Sequence, residues 1–271
     1  MITVIKANRT KEPFSEDKVM NSIRRARIPK SLHQDVLDHV KSKLYEGIST
    51  EEIYQHIIEF LERAPNPYIE SRYSLKGAIM QLGPTGYPFE DFVSRLFEAQ
   101  GYSTQVRQTL NGKCVTHEVD VVAEKEGEAL MIEVKFHNSH GTRSEIQTAL
   151  YTQARFEDVK VKNNVTEAWL VTNTKTTVDA NTYAQCCGMK VMSWDYPTGN
   201  SLRELIEKTK LHPITMLTTL SSDQKASLLE SHVILCREIL EDPTVLDRLY
   251  LSKADHQKVL EETQIIVAEE E

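Results

Sequence analysis

The sequence predicts an α/β protein: a small helical N-terminal domain, a mixed β-sheet flanked by helices, and a helical C-terminal extension. Three observations predict it. Up to residue 82, apolar residues recur mainly at helical spacing. The turn-forming run Leu82-Gly83-Pro84-Thr85-Gly86-Tyr87-Pro88 then marks a domain boundary. Beyond it the pattern runs helix, three strands, helix, strand, helix, strand, which gives a sheet covered by helices. The expected domains are residues 1–83, 84–210 and 211–271.

The chain has 271 residues and 40% hydrophobic content, enough for two cored domains. It lacks a run of 18 uncharged apolar residues, and Met1-Ile2-Thr3-Val4-Ile5-Lys6 enters a strand-like pattern at once, against a membrane span or a secretory signal. Cys114, Cys186, Cys187 and Cys236 lack metal-ligand spacing, so free thiols in a reducing cytoplasm are expected. Residues 211–271 hold 5 Lys+Arg against 12 Asp+Glu, a net of -7, so the tail is a poor phosphate contact.

In the first domain, residues 2–7 predict a strand and residues 8–12 a turn leading to Pro13-Phe14. Ser15 caps a helix through Val19, Ile23 and Ala26, which Pro29 ends. Ser31 is placed to cap a helix from Leu32 to Tyr45. Ser49-Thr50-Glu51-Glu52 caps a third, and a fourth spans roughly Tyr68 to Leu82. Lys6, Arg9, Lys11 and Lys18 gather beside a helix N-terminus. They suit an anion such as a triphosphate, and equally a solvated basic edge.

The second domain opens with a helix from Phe89 to Gln100, its apolar side carrying Phe89, Phe92, Val93, Leu96 and Phe97 with Glu90 beside it. Residues 102–109 predict a strand, Asn111-Gly112 a hairpin turn, and residues 115–124 the next strand. A turn at Gly127 leads to the strand Leu130 to Phe136. Asp120 sits among valines, and Glu133 and Lys135, two apart, share one strand face. Two carboxylates and an ammonium among apolar neighbours point to a metal, because unpaired charge there is costly. A solvated surface hairpin is the alternative. A helix from Arg143 to Val159, a strand around Leu170-Val171, a helix Val178 to Cys187, a strand Val191 to Trp194 and a helix Ser201 to Lys210 complete the domain. In the tail, helices are expected over 223–231, 233–240, 245–249 and 255–267, forming a helix-hairpin-helix-like or a dimer-forming element.

Val4-Ile5-Lys6, the turn to Pro13-Phe14, Asp17-Lys18-Val19, Ser22, Arg25-Ala26, the start at Thr50 to Ile53 and Tyr73 resemble the ATP-cone, a regulatory nucleotide-binding domain. The resemblance covers about residues 1–80. It implies ATP or dATP as an effector, with Lys6 and Lys18 on its phosphates and Arg9 alongside. Here Ala7 stands where the family carries an arginine.

Phe89-Glu90-Asp91-Phe92-Val93, Asp120, Glu133-Val134-Lys135 and Gln147 with Tyr151 resemble the PD-(D/E)xK nuclease superfamily over about residues 88–208. The closest branches are the Mrr-like restriction endonucleases and the archaeal Holliday-junction resolvases. The resemblance implies a Mg²⁺ ion, which Mn²⁺ replaces, held by Asp120, Glu133 and the Val134 carbonyl, a hard-oxygen set that suits magnesium. Such an ion polarises a phosphodiester. Lys135 would orient the attacking water, Glu90 would share the metal site, and Gln147 and Tyr151, one helical turn apart, would align phosphate or brace Lys135. Arg143, Arg155, Lys160 and Lys162 are expected to meet the duplex, and His117 to be a neutral surface residue.

The expected function is therefore a Mg²⁺-dependent DNA endonuclease, regulated by ATP or dATP, in restriction or defence. A structure-selective repair nuclease acting on branched DNA, and a catalytically inactive nucleotide-responsive DNA-binding regulator, are the alternatives. Double-strand cleavage needs two active sites, so a homodimer on double-stranded DNA is expected.

Overall fold

The computed structural model describes residues 2–7, 9–26, 28–64, 70 and 73–268. In the N-terminal part, β1 (Thr3–Ile5) pairs antiparallel with β2 (Lys11–Pro13) and parallel with β3 (Ile48–Ser49). The expected turn over 8–12 therefore runs into a strand: Lys11 and Glu12 pair with Ile5 and Val4, which satisfies the backbone beside buried Val4.

Helix α1 (Glu16–Arg25) is capped by the Ser15 side chain, with acids in its first turn and arginines in its last, as the helix dipole favours. Helix α2 (His33–Ser42) departs from expectation. Pro29 starts a tight 3-10 turn, Lys30–Leu32, so Leu32 and not Ser31 holds the cap position. The Ser49–Glu52 capping box starts α3 (Thr50–Leu61). Of the expected fourth helix, α4 (Leu75–Met80) is seen, and its expected start at Tyr68 lies outside the described residues. Val19, Ile23, Val36, Val40, Ile57 and Leu61 form the apolar core of this part.

Helix α5 (Tyr87–Glu98) begins behind Gly86, whose φ of 88° a side chain would strain. A five-stranded sheet follows in the order β10 (Lys190–Met192), β8 (Glu167–Thr172), β6 (Glu128–Lys135), β5 (Thr116–Lys125) and β4 (Ser103–Asn111). Its β4, β5 and β6 form an antiparallel meander. Glu126 and Gly127 both take positive φ, 51° and 87°, which is the two-residue turn that matches strand twist. The β4–β5 link is longer than expected and spans 112–115. Asp158 holds it open by accepting the backbone N–H groups of Cys114 and Val115. His117 also bonds Asp158, at 2.8 Å, and is half-buried, not a free surface residue.

Next, β7 (Arg143–Ser144) pairs in parallel with β9 (Lys175–Thr176), so α6 (Ile146–Val159) starts three residues later than expected. Strand β8 lies parallel to β6, and β10 parallel to β8. Helix α7 (Val178–Cys187) shares the α6 face of the sheet, and α8 (Leu202–Thr209) packs with α5.

The C-terminal helices α9 (Ser222–Glu230), α10 (Cys236–Glu241) and α11 (Lys253–Val267) are part of the core that contains α4, α5 and one sheet face. Leu228, Ile234, Leu235, Ile239, Val259 and Ile266 are buried there, each contributing roughly 1.5–3 kcal/mol. Buried Glu262 accepts the backbone N–H and hydroxyl groups of Thr218 and Thr219, so its charge is satisfied. Among the described residues, no helix is long and apolar enough to cross a membrane.

Candidate active site

Register brings the strand acids together. Val121 faces Ile132 across β5 and β6, so one further step sets Asp120 opposite Glu133. The paired ladder stops at Val121, and the Asp120 carboxylate accepts the Val134 N–H at 2.6 Å. Lys135 lies two residues beyond Glu133 on the same strand face and is exposed.

Glu90 reaches the group from α5. Its carboxylate accepts from Arg107 at 3.1 Å, while the other amino group of Arg107 holds Asp91 at 2.8 Å. Arg107 adopts φ 53° on β4, between residues that pair with Val119 and Val121, and so stands across from Asp120. His232 of the C-terminal extension closes this side, its ring nitrogen 3.0 Å from Asp91.

The electrostatics follow from burial and crowding. Burial, then the neighbouring Asp120, pushes the Glu133 carboxyl up to about 7 against the pull of Arg155 and Lys135. Burial also lifts Glu90 to about 7, with Arg107 opposing and Asp120 adding to it. Asp120 is raised by burial, against the Val134 N–H and Arg155. Two carboxyls raised by burial and by the nearby Asp120 mark a partly dry cleft short of positive charge, a deficit a divalent cation would correct. The hard-oxygen chemistry of Asp120, Glu133 and a strand carbonyl fits magnesium or manganese. In the present arrangement each acid is engaged by a protein donor. Among the described residues, no three His, Cys, Asp or Glu side chains are grouped closely enough to hold a metal ion.

Arg155 is the site residue the sequence reading misassigned. It is buried, not part of a duplex-facing surface, and it ion-pairs with Glu133 while donating to the Glu118 carbonyl. Its guanidinium also lies 5.2 Å from the Tyr151 ring centre. Tyr151 itself is 59% exposed, and Gln147 is exposed one turn earlier. Gln147, Tyr151 and Arg155 thus form an i, i+4, i+8 stripe on α6, a spacing that could have exposed the third member. Arg143, Lys160 and Lys162 are exposed, and Lys160 pairs with Glu157.

The candidate nucleotide contacts lie elsewhere. Lys6 and Lys18 both reach Glu12, at 2.6 and 2.7 Å, and together hold its carboxyl below the usual range. Lys6 opens into a cleft of about 440 Å³ with Thr50, Tyr54 and Lys76. Lys18 opens into an adjoining cavity of about 280 Å³ that shares Tyr54 and Lys76. Arg9 is exposed at φ 65° and lines neither.

Three family models match the chain in succession. Residues 2–77 match the ATP cone domain, residues 84–205 a restriction endonuclease domain of the Mrr type, and residues 212–267 the AF1548-like C-terminal segment. An uncharacterized protein of Archaeoglobus fulgidus is 38% identical over 148 residues, which is 55% of this chain and 83% of the relative. The crystal structure of a protein of unknown function, AF1548, superimposes with a TM-score of 0.58 at 35% identity, covering 66% of this chain and 97% of that one. The chain therefore belongs to the AF1548-like family and carries an ATP cone fused ahead of a restriction-endonuclease domain of the PD-(D/E)xK kind.

Proposed function

We propose that the chain is a divalent-metal-dependent DNA endonuclease whose cone binds ATP or dATP as an effector. One observation carries the reading: Asp120 and Glu133 meet at the end of the β5–β6 ladder, beside Glu90, all three raised by burial and Glu90 and Glu133 further by Asp120. Asp120, Glu133 and the Val134 carbonyl would hold Mg²⁺ or Mn²⁺, which supplies Lewis-acid polarisation of a phosphodiester when bound. Lys135, exposed beside the acids, places an ammonium next to the scissile phosphate and an attacking water. Gln147 and Tyr151, exposed on the helix that carries Arg155, would contact the DNA backbone. Arg155 keeps Glu133 oriented until a cation competes for it. On this reading residues 1–83 sense nucleotide, residues 84–210 cut, and residues 211–271 brace the nuclease sheet.

The test is cleavage of plasmid and of branched DNA with Mg²⁺, with and without ATP or dATP, beside a Glu133→Ala protein. Plasmid cleavage that requires Mg²⁺ and Glu133 is expected. Cleavage of junctions alone would move the role to repair. A second reading is favoured by the Arg155–Glu133 pair, which already occupies the acid the metal needs. In that reading the fold binds DNA in a nucleotide-dependent way without cutting it, and intact DNA with tight binding is the outcome.

A further inference from the structure

The cleft that contains Lys6 is not built by the cone alone. Lys6, Thr50, Tyr54 and Lys76 line one wall, while Arg143 and Lys175 of the nuclease domain line the other. Its volume of about 440 Å³ is in the range of small-molecule sites. The adjoining cavity shares Tyr54 and Lys76 with it and brings Tyr73 from the cone and Trp194 from the nuclease domain. Both cavities are lined by cations, the second by Lys18, Arg25, Arg203 and Lys210, and the rings of Tyr54, Tyr73 and Trp194 gather in that second cavity.

The first cleft holds four cations, Lys6, Lys76, Arg143 and Lys175, and among the described residues only part of their charge is paired. Arg143 and Lys175 are register partners on the paired strands β7 and β9, where like charges repel. Lys175 has Asp195 as a counter-ion, Lys6 has Glu12, and Glu51 also lines the cleft. Lys76 is held below its usual range by burial and by Lys175, with Asp195 opposing, and its ammonium lies over the Trp194 ring at 5.4 Å. The cone touches the nuclease domain directly here: a Cβ on Gly141 would come within 2.8 Å of the Ala7 side chain. Gly141 belongs to the segment that links Lys135 at the end of β6 to Arg143 at the start of β7.

We propose that the nuclease domain completes the nucleotide site: Arg143 and Lys175 share, with Lys6 and Lys76, the outer phosphates of a nucleoside triphosphate whose base lies at the Tyr54–Trp194 end. The proposal rests on the nucleotide reading of the cone and adds to it the second domain. Its consequence is regulatory. A triphosphate gripped from both walls fixes the far end of the segment that begins at Lys135, so occupancy is read at the acid pocket without any contact between nucleotide and DNA.

Titration of the full-length chain with ATP, ADP and AMP by calorimetry tests it, using wild type, Arg143→Gln, Lys175→Gln and the double variant. Thermal melts check that the variants are folded. The wild type is expected to bind ATP more tightly than AMP. The double variant is expected to lose about tenfold in ATP affinity, as charge-assisted phosphate contacts would, with little change for AMP. Each single variant is expected to fall between, which keeps the test valid should the double variant melt early. Equal ATP affinity in wild type and all variants overturns the composite site and leaves the cone reading standing. A wild type that binds none of the three nucleotides overturns both.

Discussion

The acid pocket at the end of β5 and β6 and the cationic cleft beneath the cone are electrostatic opposites that obey one rule. Burial disfavours charge of either sign, so Glu90 and Glu133 are pushed up to about 7 while Lys76 is held below its ordinary range. In each case neighbours of like sign, Asp120 for the acids and Lys175 for the lysine, add to the effect. Glu262, by contrast, is buried and accepts four hydrogen bonds from Thr218 and Thr219. Burial also raises Glu70 and lowers Lys225; at the acid pocket and the cationic cleft a divalent cation and a polyphosphate would each relieve the effect.

The sharpest way to break this comparison is to neutralise the acid side. Asp120→Asn retains an oxygen to accept the Val134 N–H, so the fold is expected to survive. Cleavage in Mg²⁺ is expected to fall by on the order of 10²–10³-fold, the scale of losing one charge-stabilising group. Rates within twofold of wild type would show that the acids are structural.

Arg155→Met comes next and reads the protein's own counter-ion. Removing it leaves Glu133 without its ion-pair partner and the Glu118 carbonyl without its donor. A loss of about 3 kcal/mol is expected in denaturant melts at pH 8. The loss should shrink at pH 5.5, where Glu133 takes up a proton and no longer needs a partner. An equal loss at both pH values would mean that Arg155 acts by packing.

Both predictions turn on residues whose legibility in the sequence differed. Alternation of acids with valines made β5 and β6 readable, and the fixed register of a two-residue turn then placed Asp120 opposite Glu133. Ser15 and Ser49 could be read as caps because capping is local. Ser31 failed because the chain spends that turn on a 3-10 segment. The Arg155–Glu133 and His117–Asp158 pairs join residues 22 and 41 positions apart, distances over which no local pattern reports. Strand β7 was absorbed into a helix because its partner, β9, lies beyond α6 and β8. The cleft between cone and nuclease domain was invisible for the same reason.

A pH series sharpens the acid side further. For Glu90 and Glu133 the folded carboxyl is raised, from an ordinary 4.5 to about 7. Their stabilising contribution is therefore complete below about 4.5 and lost as pH rises through 7. Without divalent ions each of these two carboxyls should cost on the order of 2 kcal/mol between pH 5 and 8. Mg²⁺ should raise the melting temperature more at pH 8 than at pH 5.5, because at low pH it must displace protons. A Mg²⁺ effect independent of pH would remove the acids from the metal site.

The smallest expected effect tests the cationic side. Lys76→Met keeps the length of the side chain and deletes the charge. It removes a cation–π contact with Trp194, of about 0.5–1 kcal/mol, and also removes repulsion from Lys175 and the burial of an ammonium. These nearly cancel, so the melting temperature without nucleotide should change by less than the equivalent of about 1 kcal/mol. The stabilisation produced by ATP should fall sharply, because the lysine sits where the two cavities meet. If Lys76 were a structural residue, the order would reverse: a large loss without nucleotide and an undiminished response to ATP. The two halves of the comparison would then differ in kind, one a ligand site and the other a charged seam between domains.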